Sequence, residues 1–320
     1  MEAKPRIIIV APVFNEIDCL PEFCRRIEKV MNTQPCEYQI LFVDDGSTDG
    51  SSNWLLGREK TDPQVKVLLL SRNFGHQIAI TAGLDHADGD AVIILDSDLQ
   101  DPPETIPDLL SKWREGYDVV YAVRRTRQGE TWLKKFLAAA FYKIFRAMAK
   151  VDAPLNAGDF RLLDRCVVDA VKELRETHRF MRGLTCWVGF RQGAVLYDRD
   201  SRYAGSTKYP VWKSARLAFD AITSFSAAPL RWTMGFGFLI CLLAGAWVLQ
   251  IIIGVYQGRS GMVQGWASVI ATVIFMGGVQ LICTGILGQY LGRTFEETKH
   301  RPLYFLRSKN RDDVSKGTMA

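Results

Sequence analysis

Ala91-Val92-Ile93-Ile94-Leu95-Asp96-Ser97-Asp98 is a short β-rich run that ends on two carboxylates two residues apart. Five apolar residues in a row read as a strand buried on both faces. The Asp-Ser-Asp step then delivers two anionic groups at the carboxyl edge of that strand, where open α/β sheets bind their ligands. Carboxylate oxygens are hard ligands suited to Mg²⁺ or Mn²⁺, and such ions commonly hold substrate phosphates. Asp-x-Asp is also common in solvated turns, so its meaning depends on what surrounds it.

Working outward, residues 6–12 read as a first buried strand and 18–31 as a helix. Strands follow at 39–44 and 65–70, a helix at 76–87, and a further strand at 117–123. Short apolar runs alternating with helical stretches indicate βαβ units and a parallel sheet. No GxGxxG follows the first strand and no GxxxxGK[ST] occurs, so a dinucleotide site and a P-loop have no support. Four loops leave the same edge of this sheet: Pro12-Val13-Phe14-Asn15-Glu16, Asp44-Asp45-Gly46-Ser47, Ser71-Arg72-Asn73-Phe74-Gly75 and Asp96-Ser97-Asp98-Leu99-Gln100-Asp101. Asp44-Asp45-Gly46 alone would be a turn. Four polar loops converging on one edge make a nucleotide pocket.

The composition changes near residue 230. Between Arg231 and Arg259 lie 27 uncharged residues, and between Arg259 and Arg293 another 33. Each exceeds the ~20 residues a helix needs to cross a bilayer. The segment between them carries only Arg259, whereas Lys208, Lys213, Arg216 and Arg231 precede the first stretch. Arg293, Lys299, Arg301, Arg307, Lys309, Arg311 and Lys316 lie at the end of the second stretch and beyond. The positive-inside rule then places both termini and the large N-terminal domain in the cytoplasm, with a two-helix transmembrane hairpin over 231–293 and a basic tail over 294–320. Two amphipathic stretches fit a membrane surface. In 131–150, Leu133, Phe136, Leu137, Phe141, Ile144, Phe145 and Met148 repeat at helical spacing among five lysines and arginines. Over 211–230, Trp212, Ala215, Phe219, Ile222 and Phe225 form a similar stripe. Seven scattered cysteines with no CxxC pair read as reduced thiols. The net charge of +5, with no dense basic block, gives no footprint for nucleic acid. The Gly-rich spans allow contacts between copies in a homo-oligomer, and no pattern sets their number.

The strand-end segments closely resemble the signature of the family 2 glycosyltransferases of GT-A fold. Pro12-Val13-Phe14-Asn15-Glu16, Val43-Asp44-Asp45-Gly46-Ser47-Thr48-Asp49 and Asp96-Ser97-Asp98-Leu99-Gln100-Asp101-Pro102-Pro103 carry that resemblance. Asn156-Ala157-Gly158-Asp159-Phe160-Arg161-Leu162 and Arg202-Tyr203-Ala204-Gly205-Ser206-Thr207-Lys208-Tyr209 look like further motifs of its polyprenyl-phosphate branch. That branch includes dolichol-phosphate mannose synthase and the bacterial undecaprenyl-phosphate glucosyltransferases. Where the dolichol enzymes show Gly-Glu-Ser-Lys, this chain has Gly-Ser-Thr-Lys. Gln-x-x-Arg-Trp of the processive synthases would need Gln at 228, where Ala228 stands.

The resemblance implies a Rossmann-like GT-A domain over 1–210 and inverting transfer of one sugar from a UDP-sugar to polyprenyl phosphate at the membrane. Glucose is the expected sugar, with GDP-mannose or a UDP-aminosugar as alternative donors. It places the uridine and sugar diphosphate against Pro12, Phe14, Glu16, Asp44, Asp45, Asp96 and Ser97, and a Mg²⁺ or Mn²⁺ ion on Asp96, Asp98 and Gln100. Asp159 takes the family's base position. The acceptor is a phosphate monoester with a second pKa of about 6, already mostly dianionic at neutral pH, so Asp159 is expected to orient more than to deprotonate. A structural pairing of Asp159 with Arg161 is the alternative. Arg124, Arg127, Arg202 and Lys208 are the candidates for the acceptor phosphate, and Arg124, Arg125 and Arg127 could equally form a solvated loop. A rival of another class is a catalytically silent membrane scaffold that binds nucleotide sugar or lipid phosphate.

Overall fold

A computed structural model of the chain describes residues 4–125, 157–199, 228–257 and 266–308. The surface helix expected over 131–150, the stripe over Trp212–Phe225, Arg127, Arg202, Lys208 and the end of the basic tail lie outside these residues. The described residues form one sheet of strands β1 (Arg6–Val13), β2 (Glu37–Asp44), β3 (Val65–Leu69), β4 (Ala91–Ile94), β5 (Val119–Arg124), β6 (Ala157–Asp164) and β7 (Gln192–Tyr197). Their order across the sheet is β3-β2-β1-β4-β6-β5-β7. β6 runs antiparallel to β4 and β5, and the other strands share one direction. This is the mostly parallel α/β sheet expected from the sequence, with one reversed strand that periodicity did not reveal.

The apolar runs form central strands because helices cover both faces. Along β1, Ile7, Ile9, Ala11 and Val13 face one core, and Ile8 and Val10 the other. The first core takes α1 (Leu20–Met31) and α4 (Ile106–Arg114), and Leu55 of α2 (Ser51–Thr61). In α1 the buried positions Leu20, Phe23, Cys24, Ile27, Val30 and Met31 make one helical stripe. The second core takes α3 (His76–His86) and α5 (Arg165–Glu173). Short α6 (Met181–Trp187) follows α5. The expected strands at 6–12, 39–44, 65–70 and 91–95 and the helices at 18–31 and 76–87 all form; the strand expected from 117 starts at Val119.

Gly83 sets how closely α3 lies on the sheet. A Cβ there would overlap Val10 Cγ1 and stand 3.2 Å from Val43 Cγ2. Valine is stiff at χ1 and both valines are buried, so neither can swing aside. Gly83→Ala is therefore expected to destabilise by about 1–3 kcal/mol, outweighing the roughly 1 kcal/mol that alanine gains as a helix former. A thermal melt should show a Tm lower by a few degrees, about 2–4 °C per kcal/mol.

Backbone contacts divide the chain into two units, Met1–Val211 with Pro302–Ala320, and Trp212–Arg301. Within the segment expected to be a basic tail, the residues from Pro302 on return to the sheet. Leu306 bridges Leu70 just beyond β3, with Ser71 N donating to Phe305 O at 2.9 Å and Arg307 N to Leu69 O at 2.7 Å. Tyr304 packs against the second core, and its hydroxyl donates to Asp85 at 3.0 Å.

The second unit contains two long helices, α7 (Ala228–Tyr256) and α8 (Trp266–Thr298). Among the described residues one helix, Thr272–Thr298, is long and apolar enough to cross a membrane, and Gly235–Trp247 in α7 is a shorter apolar stretch. Both helices expose large apolar side chains, including Phe236, Leu243 and Trp247 on α7 and Ile274, Leu281 and Leu291 on α8. Water does not favour such surfaces. The hydroxyls of Thr284 and Thr294 donate to carbonyls one turn back, Gln280 O and Tyr290 O, which satisfies them without solvent.

Candidate active site

The loops at the carboxyl edge are stitched to one another by their own polar groups. Asn15 has φ 57°, a left-handed conformation that asparagine tolerates. It accepts from Thr48 N at 2.8 Å while its own N–H donates to Ser47 Oγ at 3.0 Å, which joins the β1 and β2 loops. Asp45 accepts from Phe74 N at 2.7 Å and Gly75 N at 2.9 Å, which joins the β2 and β3 loops. Ser97 Oγ donates to Pro12 O at 2.9 Å, tying the β4 loop to β1. Gly46, at φ 75°, lets the β2 loop pass the backbone of Arg72 and Asn73, where a Cβ would come within 2.8 Å.

These loops enclose a cleft of about 340 Å³ lined by the expected Pro12, Phe14, Glu16, Asp45, Asp96, Ser97 and Asp98. Asn73, Gly75, His76 and Ala79 from the β3 loop and the start of α3 complete much of the wall. Phe14 is an exposed aromatic at the rim, 46% accessible, suited to stacking on a planar base. Asp44 is not in the lining. Its carboxylate accepts from Ser47 N at 3.0 Å and from the Ser52 hydroxyl, so it holds the turn and the start of α2. Asp45 faces the cleft; burial pushes its carboxyl upward, against the two backbone N–H groups that favour the anion.

Asp96 and Asp98 reach the cleft on either side of buried Ser97. Burial pushes the Asp96 carboxyl up to about 7; His76 opposes this, while Asp159, Asp101 and Asp98 add repulsion. Asp96 Oδ1 is buried and accepts no hydrogen bond, although His76 Nε2 stands 3.4 Å away. Asp98 Oδ1 accepts from Gln100 N at 3.1 Å across a turn that puts Leu99 at φ 60°. A left-handed leucine is strained, and burial of its side chain in the first core holds it there. Gln100 does not line the cleft. No group of three or more His, Cys, Asp or Glu placed to hold a metal occurs among the described residues. An orphaned carboxylate oxygen beside a second acid still fits a hard divalent ion that takes its remaining ligands from phosphate and water.

Asp159 arrives from β6, whose reversal brings its N-terminal end to this edge. Ile94 pairs with Arg161, so Asp159 stands two residues beyond, next to the Asp96 loop. Its Oδ1 accepts from Arg182 Nε at 2.9 Å, and its Oδ2 from Arg182 Nη2 at 3.1 Å and Gln77 Nε2 at 3.4 Å. His76 Nε2 stands 3.4 Å from Oδ2. Burial alone would raise the Asp159 pKa, but Arg182 and His76 more than offset it and hold the carboxyl far below the usual range. His76 is opposed by burial yet raised to about 9 by Asp159 and Asp96. The ion pair is thus with Arg182 and not the adjacent Arg161. Buried Arg161 donates instead to Gly158 O, the Asp159 carbonyl and the Thr185 hydroxyl, bracing β6 against α6.

Arg124 points into a second cluster. Its Nε donates to Tyr197 Oη at 3.1 Å and its Nη2 lies 3.7 Å from buried Asp101. Asp101 also accepts from the Tyr197 hydroxyl and lies 3.5 Å from Arg199. Arg125 lies 3.6 Å from exposed Asp198.

Residues 8–171 match the family model described as glycosyl transferase family 2. An uncharacterized glycosyltransferase of Synechocystis sp. is 49% identical over 299 residues, 93% of each chain. One from Bacillus subtilis is 46% identical over 93% of this chain and 92% of its own. The bactoprenol glucosyl transferase of Shigella phage SfV is 42% identical over 95% of this chain and 99% of its own.

Proposed function

The chain belongs to glycosyl transferase family 2, and we propose that it transfers glucose from UDP-glucose to undecaprenyl (bactoprenol) phosphate, with inversion, at a membrane. End-to-end similarity to a bactoprenol glucosyl transferase carries the substrate assignment, and the cleft supplies chemistry that suits it. The wall from Pro12 to Asp45 receives the nucleoside. Asp98 and Asp96 would hold a Mg²⁺ or Mn²⁺ ion, and such an ion would supply positive charge against the charge that develops on the departing diphosphate. Asp159 orients the reacting groups. Its carboxylate is engaged by Arg182 through both oxygens, which makes it a poor proton acceptor, and a dianionic acceptor needs none.

The domain reading extends the same way. Residues 1–210 carry the catalytic domain, and the two long helices α7 and α8 cross the membrane. Chain connectivity supports the hairpin. The chain leaves the sheet-bearing unit before Trp212 and rejoins it at Pro302, which suits a segment that starts and ends on one side of the bilayer. α7 and α8 crossing together give that arrangement and one crossing does not. The charge asymmetry makes that side cytoplasmic.

A donor screen tests the assignment. The full chain is incubated with undecaprenyl phosphate, Mg²⁺ and UDP-glucose, GDP-mannose or UDP-N-acetylglucosamine, and lipid-linked sugar is counted. UDP-glucose should exceed the others by at least about 100-fold in kcat/KM, the discrimination expected when mismatched sugars leave buried polar groups unpaired. A preference for either alternative donor overturns the glucose assignment.

A further inference from the structure

The cleft is lined by acids, yet the proposed reaction brings two anions into it. Glu16, Asp45, Asp96 and Asp98 line it, and among the described lining residues His76 is the one side chain that can carry positive charge. The order of strands gives the cleft a direction. The β2 and β1 loops lie on one side of β4, with its Asp96 and Asp98, and β6 with Asp159 lies on the other. With the nucleoside on the β1–β2 side and the diphosphate at Asp98, an in-line displacement admits its acceptor from the β6 side.

Two side chains able to donate hydrogen bonds to an anion meet there. Arg182 reaches Asp159 from α6 through Nε at 2.9 Å and Nη2 at 3.1 Å, and its side chain is 34% exposed. His76, the first residue of α3, is 42% exposed and stands 3.4 Å from both Asp96 and Asp159. Gln77 braces this arrangement, giving Nε2 to Asp159 and accepting Met181 N at 2.7 Å, the amide that opens α6. A guanidinium has five N–H groups in a rigid fork, so one arginine can bridge a carboxylate and a phosphate. Arg124, expected from the sequence to meet the acceptor, is instead directed at Asp101 and Tyr197.

We propose that His76 and Arg182 receive the phosphate oxygens of the lipid-phosphate acceptor, and that Asp159 is the positioning residue that aims both of them. The inference rests on the transferase reading above and adds which side chains bind the acceptor. The same chemistry could serve the donor's diphosphate, so the test separates the two anions.

Binding is measured on the full chain in detergent by titration calorimetry, with farnesyl phosphate as acceptor probe, farnesol as its uncharged control, and UDP with Mg²⁺ as donor-side probe. Wild type should bind farnesyl phosphate and not farnesol. His76→Gln and Arg182→Gln should weaken farnesyl phosphate by about tenfold or more, the loss of one charge-assisted hydrogen bond, and raise the KM for undecaprenyl phosphate in parallel. UDP affinity should stay within about twofold, and Arg182→Lys should recover part of the loss because it keeps the charge. If Arg182→Gln does not fold, Arg182→Lys and His76→Gln carry the test. Weakened UDP binding with farnesyl phosphate untouched would overturn the proposal in favour of the donor diphosphate. A fall in kcat alone, with farnesyl phosphate affinity and both KM values unchanged, would overturn it in favour of a structural role. Wild type that binds farnesyl phosphate through these residues but moves no sugar would uphold this site and refute the transferase reading.

Discussion

Asp98→Ala is expected to lower metal-dependent sugar transfer by about 10³-fold, corresponding to roughly 4 kcal/mol of lost stabilisation of the leaving diphosphate. The carboxylate lines the cleft and also accepts the Gln100 N–H at 3.1 Å, so two roles need separation. Asp98→Asn keeps an acceptor for that N–H and removes the charge. If the charge holds the metal, the two variants should be equally impaired. If the turn is what matters, the asparagine variant should work nearly as well as wild type. Unfolding should change little in either, because the strained turn is anchored by Leu99, which lies in the first core. The measurement is the initial rate of lipid-linked sugar formation across a Mg²⁺ titration, beside a thermal melt.

Asp159→Asn should lower kcat by about 10²-fold and leave a measurable rate. The decisive feature is the pH profile. Asp159 is held ionised by Arg182 and His76 against the effect of burial, so it is a carboxylate throughout the working range and has no proton equilibrium to contribute near neutrality. The variant should therefore show no new dependence on pH above 7. Recovery of the rate as pH rises would mean that hydroxide replaces a missing base, and the orienting role would be wrong. Asparagine also loses the bidentate pairing with Arg182, so the residual rate should fall further when Arg182→Gln is added, by less than the product of the single effects, because the two residues act as one unit.

The parts of this fold that were legible beforehand are those that repeat. Parallel strands buried on both faces give unbroken apolar runs, and loops at one edge follow from βαβ connection. That was enough to place Pro12, Phe14, Asp96 and Asp98 together. The reversed strand β6 was not legible, because strand direction leaves no mark on periodicity. Its consequence is large: reversal is what brings Asp159 from the start of β6 to the edge reached by the ends of β1 to β4. Arg182 is 23 residues from Asp159 on another element, and no spacing rule joins them. His76 carried a weak signal, since it directly follows the Ser71–Gly75 loop already placed at the site, but α3 could have turned it either way. Asp44 and Asp45 could not be separated either. In the structure Asp44 turns toward Ser52, at the start of α2, and Asp45 toward the cleft. The return of Tyr304 and Leu306 to the sheet was hidden because a single bridge beside β3 needs no run of strand-forming residues.

The central claim is that this cleft moves one sugar onto a lipid phosphate with the help of a divalent ion. It is tested most directly by the full chain in liposomes holding undecaprenyl phosphate, given radiolabelled UDP-glucose with Mg²⁺ or with chelator. Label extracted into organic solvent with Mg²⁺, at one glucose per lipid phosphate, and abolished by chelator is the predicted result. Label that stays in water under both conditions, or lipid product formed equally well in chelator, would contradict it.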